Sequence, residues 1–297
     1  MNIIRPFDPW RSKLCTCPTK YSFCPYTGCS HRCVYCYATA YIPNFYKIRV
    51  KKQLESRLVR DVKKMPVNAL ISIANSSDPY PPEEMTLRLT RKALSILANA
   101  PVRVLIITKG TTIVRDIDIL KRMRVAVAFS ISTIDERLAK KLEPGAPTPE
   151  ERFKAIKQLA DEGIPTILRI DPIFWKLTDG EIDEILTIAK SANVVHIVAS
   201  TFKPRPDGWN RIKNVLPGWA KTVEHYYLKG ETYQRTYYLP TAIRYELMRR
   251  VYDKAISLGF TFATCREGFT ELHTGGSCDG SHLIPTVHPT SLFAKMG

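Results

Sequence analysis

Three cysteines stand within eight residues, in Cys29-Ser30-His31-Arg32-Cys33-Val34-Tyr35-Cys36. Thiolates at such short spacing are the ligands that iron–sulfur clusters take. One loop can wrap three of them around a corner of a cubane. The fourth iron then stays open, and an open metal position is where a substrate or cofactor binds and is activated. Zinc is the rival reading. Structural zinc, however, takes four ligands in paired spacings, and His31 could complete the set only with awkward local geometry. The plainest alternative is three unrelated buried cysteines.

Five cysteines remain: Cys15, Cys17, Cys24, Cys265 and Cys278. Cys15-Thr16-Cys17-Pro18 offers two thiols on one short loop, and Gly275-Gly276-Ser277-Cys278-Asp279-Gly280 lets backbone come close to a metal. Two close thiols and two distant ones can make a four-thiolate site, for zinc or a second cluster. Scattered buried thiols are the alternative. The N-terminus, Met1-Asn2-Ile3-Ile4-Arg5-Pro6, lacks the apolar core of a secretory signal, and no apolar run is long enough to span a bilayer. A cytoplasmic chain is therefore expected. In that reducing compartment cysteines serve as ligands or reactive thiols rather than disulfides.

The middle of the chain must position these thiols. Residues 69–74, 102–108, 125–131, 164–170 and 194–200 are short, continuously apolar and rich in Val and Ile, as strands covered on both faces are. A first strand is expected near residues 21–26. Helical patterns lie between them. Leu54, Leu58 and Val62 are spaced by four, and Ile182, Ile185, Leu186 and Ala189 form one stripe. Thr148-Pro149-Glu150-Glu151 reads as a capping box with Pro at the first helical position, and Thr178-Asp179-Gly180-Glu181 as a second box. About six βα units imply a parallel sheet, doubly wound or curved toward a barrel, with chemistry at the strand C-terminal ends. Arg169 interrupts the apolar run 164–170; pointing inward, its charge needs a partner. Residues 203–240 show no clear period. A further helix is expected over 242–258 and a strand over 260–264.

The charge balance is lopsided. Against 28 Asp+Glu stand 44 Lys+Arg, a net +16 over 297 residues. That favours a polyanion such as RNA or DNA, or an anionic membrane surface; an unspecifically basic surface is the alternative. Composition is otherwise that of a soluble globular chain. The basic residues at 47–64 read as a solvated helix face. Residues 203–235 interleave cations and aromatics, among them Lys203, Arg205, Trp209, Arg211 and Lys213. Single-stranded or flipped nucleic acid needs both, cations for phosphate and rings for stacking. The same residues could cover the open side of an incomplete barrel.

The C-x3-C-x2-C spacing, with an aromatic before the last Cys, resembles the radical S-adenosylmethionine (radical SAM) superfamily. Pro25-Tyr26-Thr27-Gly28-Cys29 through Cys36-Tyr37-Ala38 is similar to its spore photoproduct lyase-like branch. So are Asp78-Pro79-Tyr80, Ile107-Thr108-Lys109, Arg115-Asp116-Ile117-Asp118-Ile119-Leu120, Phe129-Ser130-Ile131 and Glu143-Pro144-Gly145, in that order. The resemblance covers roughly residues 23–200.

Beyond the reach of the resemblance, an N-terminal extension over 1–20 and a C-terminal extension over 203–297 that covers the mouth are expected; the resemblance itself implies an α/β fold, a partial (β/α)6 TIM-like barrel of the radical SAM type over residues 21–202. It implies a [4Fe–4S] cluster on Cys29, Cys33 and Cys36, whose open iron chelates SAM. One electron, from a donor such as ferredoxin or flavodoxin, cleaves SAM to methionine and a 5′-deoxyadenosyl radical that takes hydrogen from substrate. Tyr35 would lie against the adenine, or serve as a core aromatic. Asn75, Ser76, Ser77 and Asp78 would read the SAM amino group, or form a plain turn. Lys109, Ser130 and Arg169 would complete the cofactor site. Cys265 or Cys278 could return a hydrogen atom to a product radical. The expected substrate is a nucleic acid under repair or modification. The alternatives are a protein, peptide or small metabolite, or a nucleic-acid-binding module with a structural or redox-sensing cluster.

Overall fold

The apolar runs become strands because each buries both faces. In the computed structural model, which describes residues 2–7, 13–73 and 75–287, the strands are β1 (Arg5–Pro6), β2 (Tyr21–Phe23), β3 (Tyr26–Thr27), β4 (Arg49–Val50), β5 (Leu70–Ile73), β6 (Arg103–Thr108), β7 (Val125–Ser130), β8 (Thr166–Ile173), β9 (His196–Thr201), β10 (Thr232–Tyr233), β11 (Thr236–Tyr237) and β12 (Thr261–Thr264). Ala74, the end of the expected run 69–74, lies outside the described residues. Eight strands form one sheet in the order β1-β2-β5-β6-β7-β8-β9-β12. Pairing is parallel from β2 to β12, and β1 adds antiparallel to β2. β1 and β12 end the sheet at opposite edges and do not pair with each other.

Alternation along the strands divides two cores. Val104 and Ile106 of β6 and Val125, Val127 and Phe129 of β7 pack with helix residues such as Leu94 and Ile156. Leu105, Ala126 and Ala128 point the other way, to meet Ile167, Val198 and Ile284. Ile284 comes from the C-terminal segment, so part of that segment packs on this face of the sheet. Its path is fixed at the start of β5, where Asn68 exchanges two hydrogen bonds with the Val287 backbone, at 2.9 and 2.8 Å. β12 also belongs to the sheet, giving seven parallel strands among the described residues where six units were expected.

The Thr148 box forms as expected. Thr148 Oγ1 accepts from the Glu151 N–H, and the Glu151 carboxylate accepts from the Thr148 N–H at 2.7 Å, opening helix Pro149–Asp161. The Thr178 box does not form. Thr178 Oγ1 accepts from the Phe174 N–H instead, and Glu181 turns to Thr133 Oγ1 and the Ile134 N–H. The α-helix there starts one turn later, Ile182–Ser191. The stretch read as aperiodic holds helices Pro206–Val215 and Pro217–Lys229, each with Pro at its first residue. Among the described residues no helix is long and apolar enough to cross a membrane.

Glu267 ties these late segments to the sheet. It is 1% exposed. One oxygen accepts from the Thr201 N–H at 2.7 Å, from Thr201 Oγ1 and from Lys203 Nζ; the other accepts from Arg244 Nη1 at 2.9 Å. The carboxylate lies between two buried cations; Arg244 has a second partner in Glu231, so removing Glu267 takes from Lys203 its ion pair and from Arg244 one of two. Glu267→Gln is expected to lower the unfolding free energy by about 3 kcal/mol or more, as read by denaturant titration. A loss below about 1 kcal/mol would show that solvent reaches the pair.

Candidate active site

Residues 28–36, which carry the three cysteines, have no strand or helix of their own. Gly28 makes the entry turn: its φ is +88°, and a Cβ there would meet the Lys47 carbonyl oxygen at 2.4 Å. The Cys29 N–H donates to the Phe45 carbonyl at 2.8 Å. Beyond it, other parts of the chain satisfy the loop. The Gly145 N–H donates to the His31 carbonyl and the Val34 N–H to the Leu142 carbonyl, both at 2.9 Å. Tyr46 Oη donates to the Cys33 carbonyl. Arg211 donates Nε to the Val34 carbonyl at 2.8 Å and Nη2 to the Cys36 carbonyl at 2.9 Å.

Asp78 joins this loop to the sheet. One oxygen accepts from Thr108 Oγ1 at 2.6 Å and the Tyr80 N–H at 2.8 Å; the other accepts from the Lys109 N–H at 2.8 Å and faces His31 Nδ1 at 3.4 Å. Burial opposes the Asp78 charge, but His31 and these donors hold its pKa down at about 2. Burial likewise opposes a charge on His31, yet Asp78 and then Cys29 lift its pKa to about 10. His31 thus ties the loop to Asp78. Burial pushes the metal-free Cys33 thiol up and the Cys36 thiol up to about 11.

The three thiols line one cavity of about 990 Å³. That is at the upper end of the roughly 300–1,000 Å³ of small-molecule sites, room for a cofactor and part of a substrate. Tyr35, Ser76, Ser77, Lys109, Ser130 and Arg169 line it too. Lys109 Nζ stands 3.8 Å from Glu143, a long pair. Glu143 is held instead by Arg152 at 2.5 Å and by the Tyr35 hydroxyl. Lys109 therefore keeps capacity for another carboxylate. Arg169 finds its required partner in Asp171, at 2.6 Å.

Asn75 and Asp78 line the cavity too, with side chains already bonded within the protein. Asp78 commits its carboxylate, as above. Asn75 commits its amide to Ser22 and Ser72, and its carbonyl to the Tyr37 hydroxyl. Trp209 packs against Phe202, Trp219 and Tyr227, with its Nε1 donating to Glu224, so it is no stacking platform. Lys213 pairs with the same Glu224. Arg211 clamps the cysteine loop. Of the five expected substrate contacts, Lys203 and Arg205 line the cavity. Glu143, Arg152 and Gly145 were seen only as motif letters or not at all. Tyr35 meets the edge of Phe174 with ring centroids 5.6 Å apart, joining the cysteine loop to that aromatic core.

The radical SAM superfamily model matches residues 23–189, more than half of the chain. The chain belongs to the radical SAM superfamily. Membership implies a [4Fe–4S] cluster and SAM, and the donor set fits: three thiols beside polar strand ends and a cation. An uncharacterized protein of Methanocaldococcus jannaschii is 32% identical over 167 residues, 54% of this chain and 63% of that protein, so the chain spans less than two thirds of that relative. An uncharacterized Mycobacterium tuberculosis protein is 28% identical over 252 residues, 79% of this chain and 73% of the relative. Among solved structures, a spore photoproduct lyase variant with bound AdoMet and dinucleoside spore photoproduct shares the radical SAM fold, with TM-score 0.66, 17% identity, and 86% and 79% of the two chains covered. The radical SAM methyltransferase TsrM of Kitasatospora setae matches at TM-score 0.55 and 11% identity, over 93% of this chain and 62% of that one.

Gly145 presses on the cysteine loop. A Cβ there would meet the Ser30 carbonyl oxygen at 2.2 Å and the His31 Cα at 3.1 Å. Gly145→Ala is expected to push the loop away and at least halve the iron held after anaerobic reconstitution, roughly the tenfold affinity class of supporting-shell changes. Iron content equal to wild type would show that the loop adapts without cost.

Proposed function

We propose that the chain binds a [4Fe–4S] cluster on Cys29, Cys33 and Cys36, cleaves SAM reductively, and turns the radical on nucleic acid for repair or modification. The observation that carries this is the cysteine triad of a radical SAM member facing one cavity with Lys109 and the strand C-terminal ends. Held by Cys29, Cys33 and Cys36, the cluster would supply the one-electron chemistry that cleaves SAM to methionine and a hydrogen-abstracting 5′-deoxyadenosyl radical.

The chain's own residues orient and enclose. Lys109 takes the SAM carboxylate, its long pair with Glu143 leaving donors to spare. Ser76, Ser77 and Ser130 offer hydroxyls or carbonyls to the amino and ribose groups. Tyr35 walls the adenine side. The packed rings of Phe174, Phe202 and Trp219 keep water from that wall.

Charge supports a polyanionic substrate. Among the described residues the cavity wall carries ten lysines and arginines against three aspartates. The lyase relative is recorded with a dinucleoside photoproduct, which favours the same class. A ferredoxin- or flavodoxin-type protein would supply the electron, in the cytoplasm.

Two measurements test this. Anaerobically reconstituted protein with dithionite should convert SAM to methionine and 5′-deoxyadenosine, and Cys29→Ala/Cys33→Ala/Cys36→Ala should fall to the protein-free background. Full activity in that variant refutes the triad's role. Single-stranded nucleic acid should bind with a steep salt dependence, losing roughly a thousandfold between about 50 and 200 mM salt if six or more phosphates are met. Arg205 and Lys51, which precedes the helix Leu54–Val62, both line the cavity, so Arg205→Glu and Lys51→Glu should each lower the slope by about one. Binding indifferent to salt and to both changes points to a protein, peptide or metabolite substrate.

A further inference from the structure

We propose that Cys15, Cys17, Cys265 and Cys278 form a mononuclear four-thiolate site for a divalent ion of the zinc class, closing the gap between the two edges of the sheet. This is independent of the reading of the triad.

The placement comes first. Cys15 and Cys17 precede β2, Cys265 follows β12, and Cys278 sits in the glycine-rich loop beyond. β2 and β12 stand near opposite ends of the sheet order, with no backbone bonds between them. Yet Cys278 Sγ lies 3.7 Å from Cys17 Sγ, and Lys20 and Asp279 form a buried ion pair alongside. Cys15 and Cys265 line the same cavity as Cys17 and Cys278. Side chains alone bring the edges together, and four of them are cysteines.

Distance selects the kind of site. Four thiolates at about 2.3 Å from one ion, set tetrahedrally, stand about 3.8 Å from one another. The Cys17–Cys278 separation of 3.7 Å fits that arrangement. In a cubane each iron takes a single cysteine, so the ligand sulfurs stand much farther apart. A second [4Fe–4S] cluster would have to force these two apart.

Charge is partly offset. A divalent ion with four thiolates carries two net negative charges in a mostly buried place. Lys20 Nζ is 3.5 Å from Cys17 Sγ and 5% exposed. Arg169 lines the same cavity. Each of these cations also pairs with an aspartate, Lys20 with Asp279 and Arg169 with Asp171, so the sulfurs share them.

Among the described residues no group of three or more His, Cys, Asp or Glu side chains is already set to hold an ion. Binding would release the thiol protons and draw the four sulfurs together, so it couples to closure of the sheet. It also removes Cys265 and Cys278 as hydrogen-atom donors.

The test uses the full chain. Cys29→Ala/Cys33→Ala/Cys36→Ala, which lacks the triad ligands, is made in zinc-supplied medium and its metals are measured by mass spectrometry. About one zinc per chain is expected, falling roughly tenfold or more in the added variants Cys17→Ser and Cys278→Ser. Cobalt in its place should give the visible bands of tetrahedral thiolate coordination. In the wild-type chain, where no variant can misfold, the four cysteines should resist alkylation until a chelator strips the ion. Zinc below a tenth of an equivalent, about four irons in the triad variant, or four thiols alkylated equally fast with and without chelator would overturn the proposal.

Discussion

A loop without regular structure must present three cysteines to one cavity, and the rest of the architecture answers that demand. Every buried N–H and C=O of such a loop needs a partner from elsewhere. Here the partners come from four places: the Phe45 and Tyr46 turn, the Leu142–Gly145 turn, helix Pro206–Val215 through Arg211, and Asp78 at the end of β5 through His31. Because Asp78 also accepts from Thr108 and the Lys109 N–H, a shift of the sheet is felt at the thiols. The sulfurs are thus positioned by the sheet's C-terminal ends and not by local chain preference.

The same frame explains the electrostatics of the cavity. Glu143 could have neutralised Lys109. Arg152 and Tyr35 take it instead, leaving Lys109 with an ion pair at arm's length. Glu267 does the converse at the far wall, holding Lys203 and Arg244 so that their charges cost little when buried. Carboxylates beneath the surface thus keep the cations in place, and the cavity retains a positive field.

Much of this was legible in the sequence. Continuous apolar runs gave β5 to β9 because parallel strands covered on both faces have no polar side to show. The cysteine spacing marked the loop, and the resemblance carried by Ile107-Thr108-Lys109 marked Lys109. What stayed hidden depended on tertiary partners. Thr178 has the letters of a capping box, yet its hydroxyl is spent on Phe174 and Glu181 is drawn to Thr133. Trp219, Val223 and Tyr227 carry a helical spacing, but the surrounding lysines and prolines masked it. Trp209, Arg211 and Lys213 look like a nucleic-acid surface in one dimension, and fold into an aromatic core, a loop clamp and an ion pair. Glu267 has no sequence signal, since a buried carboxylate is recognised only by the cations that meet it.

The most direct measurement is the electron paramagnetic resonance spectrum of the reduced, anaerobically reconstituted protein, frozen with and without SAM. A cluster on Cys29, Cys33 and Cys36 leaves one iron open beside Lys109. Its signal should change shape when SAM's amino and carboxylate groups take that position. A cluster signal identical in the presence and absence of saturating SAM would contradict a SAM site at the triad.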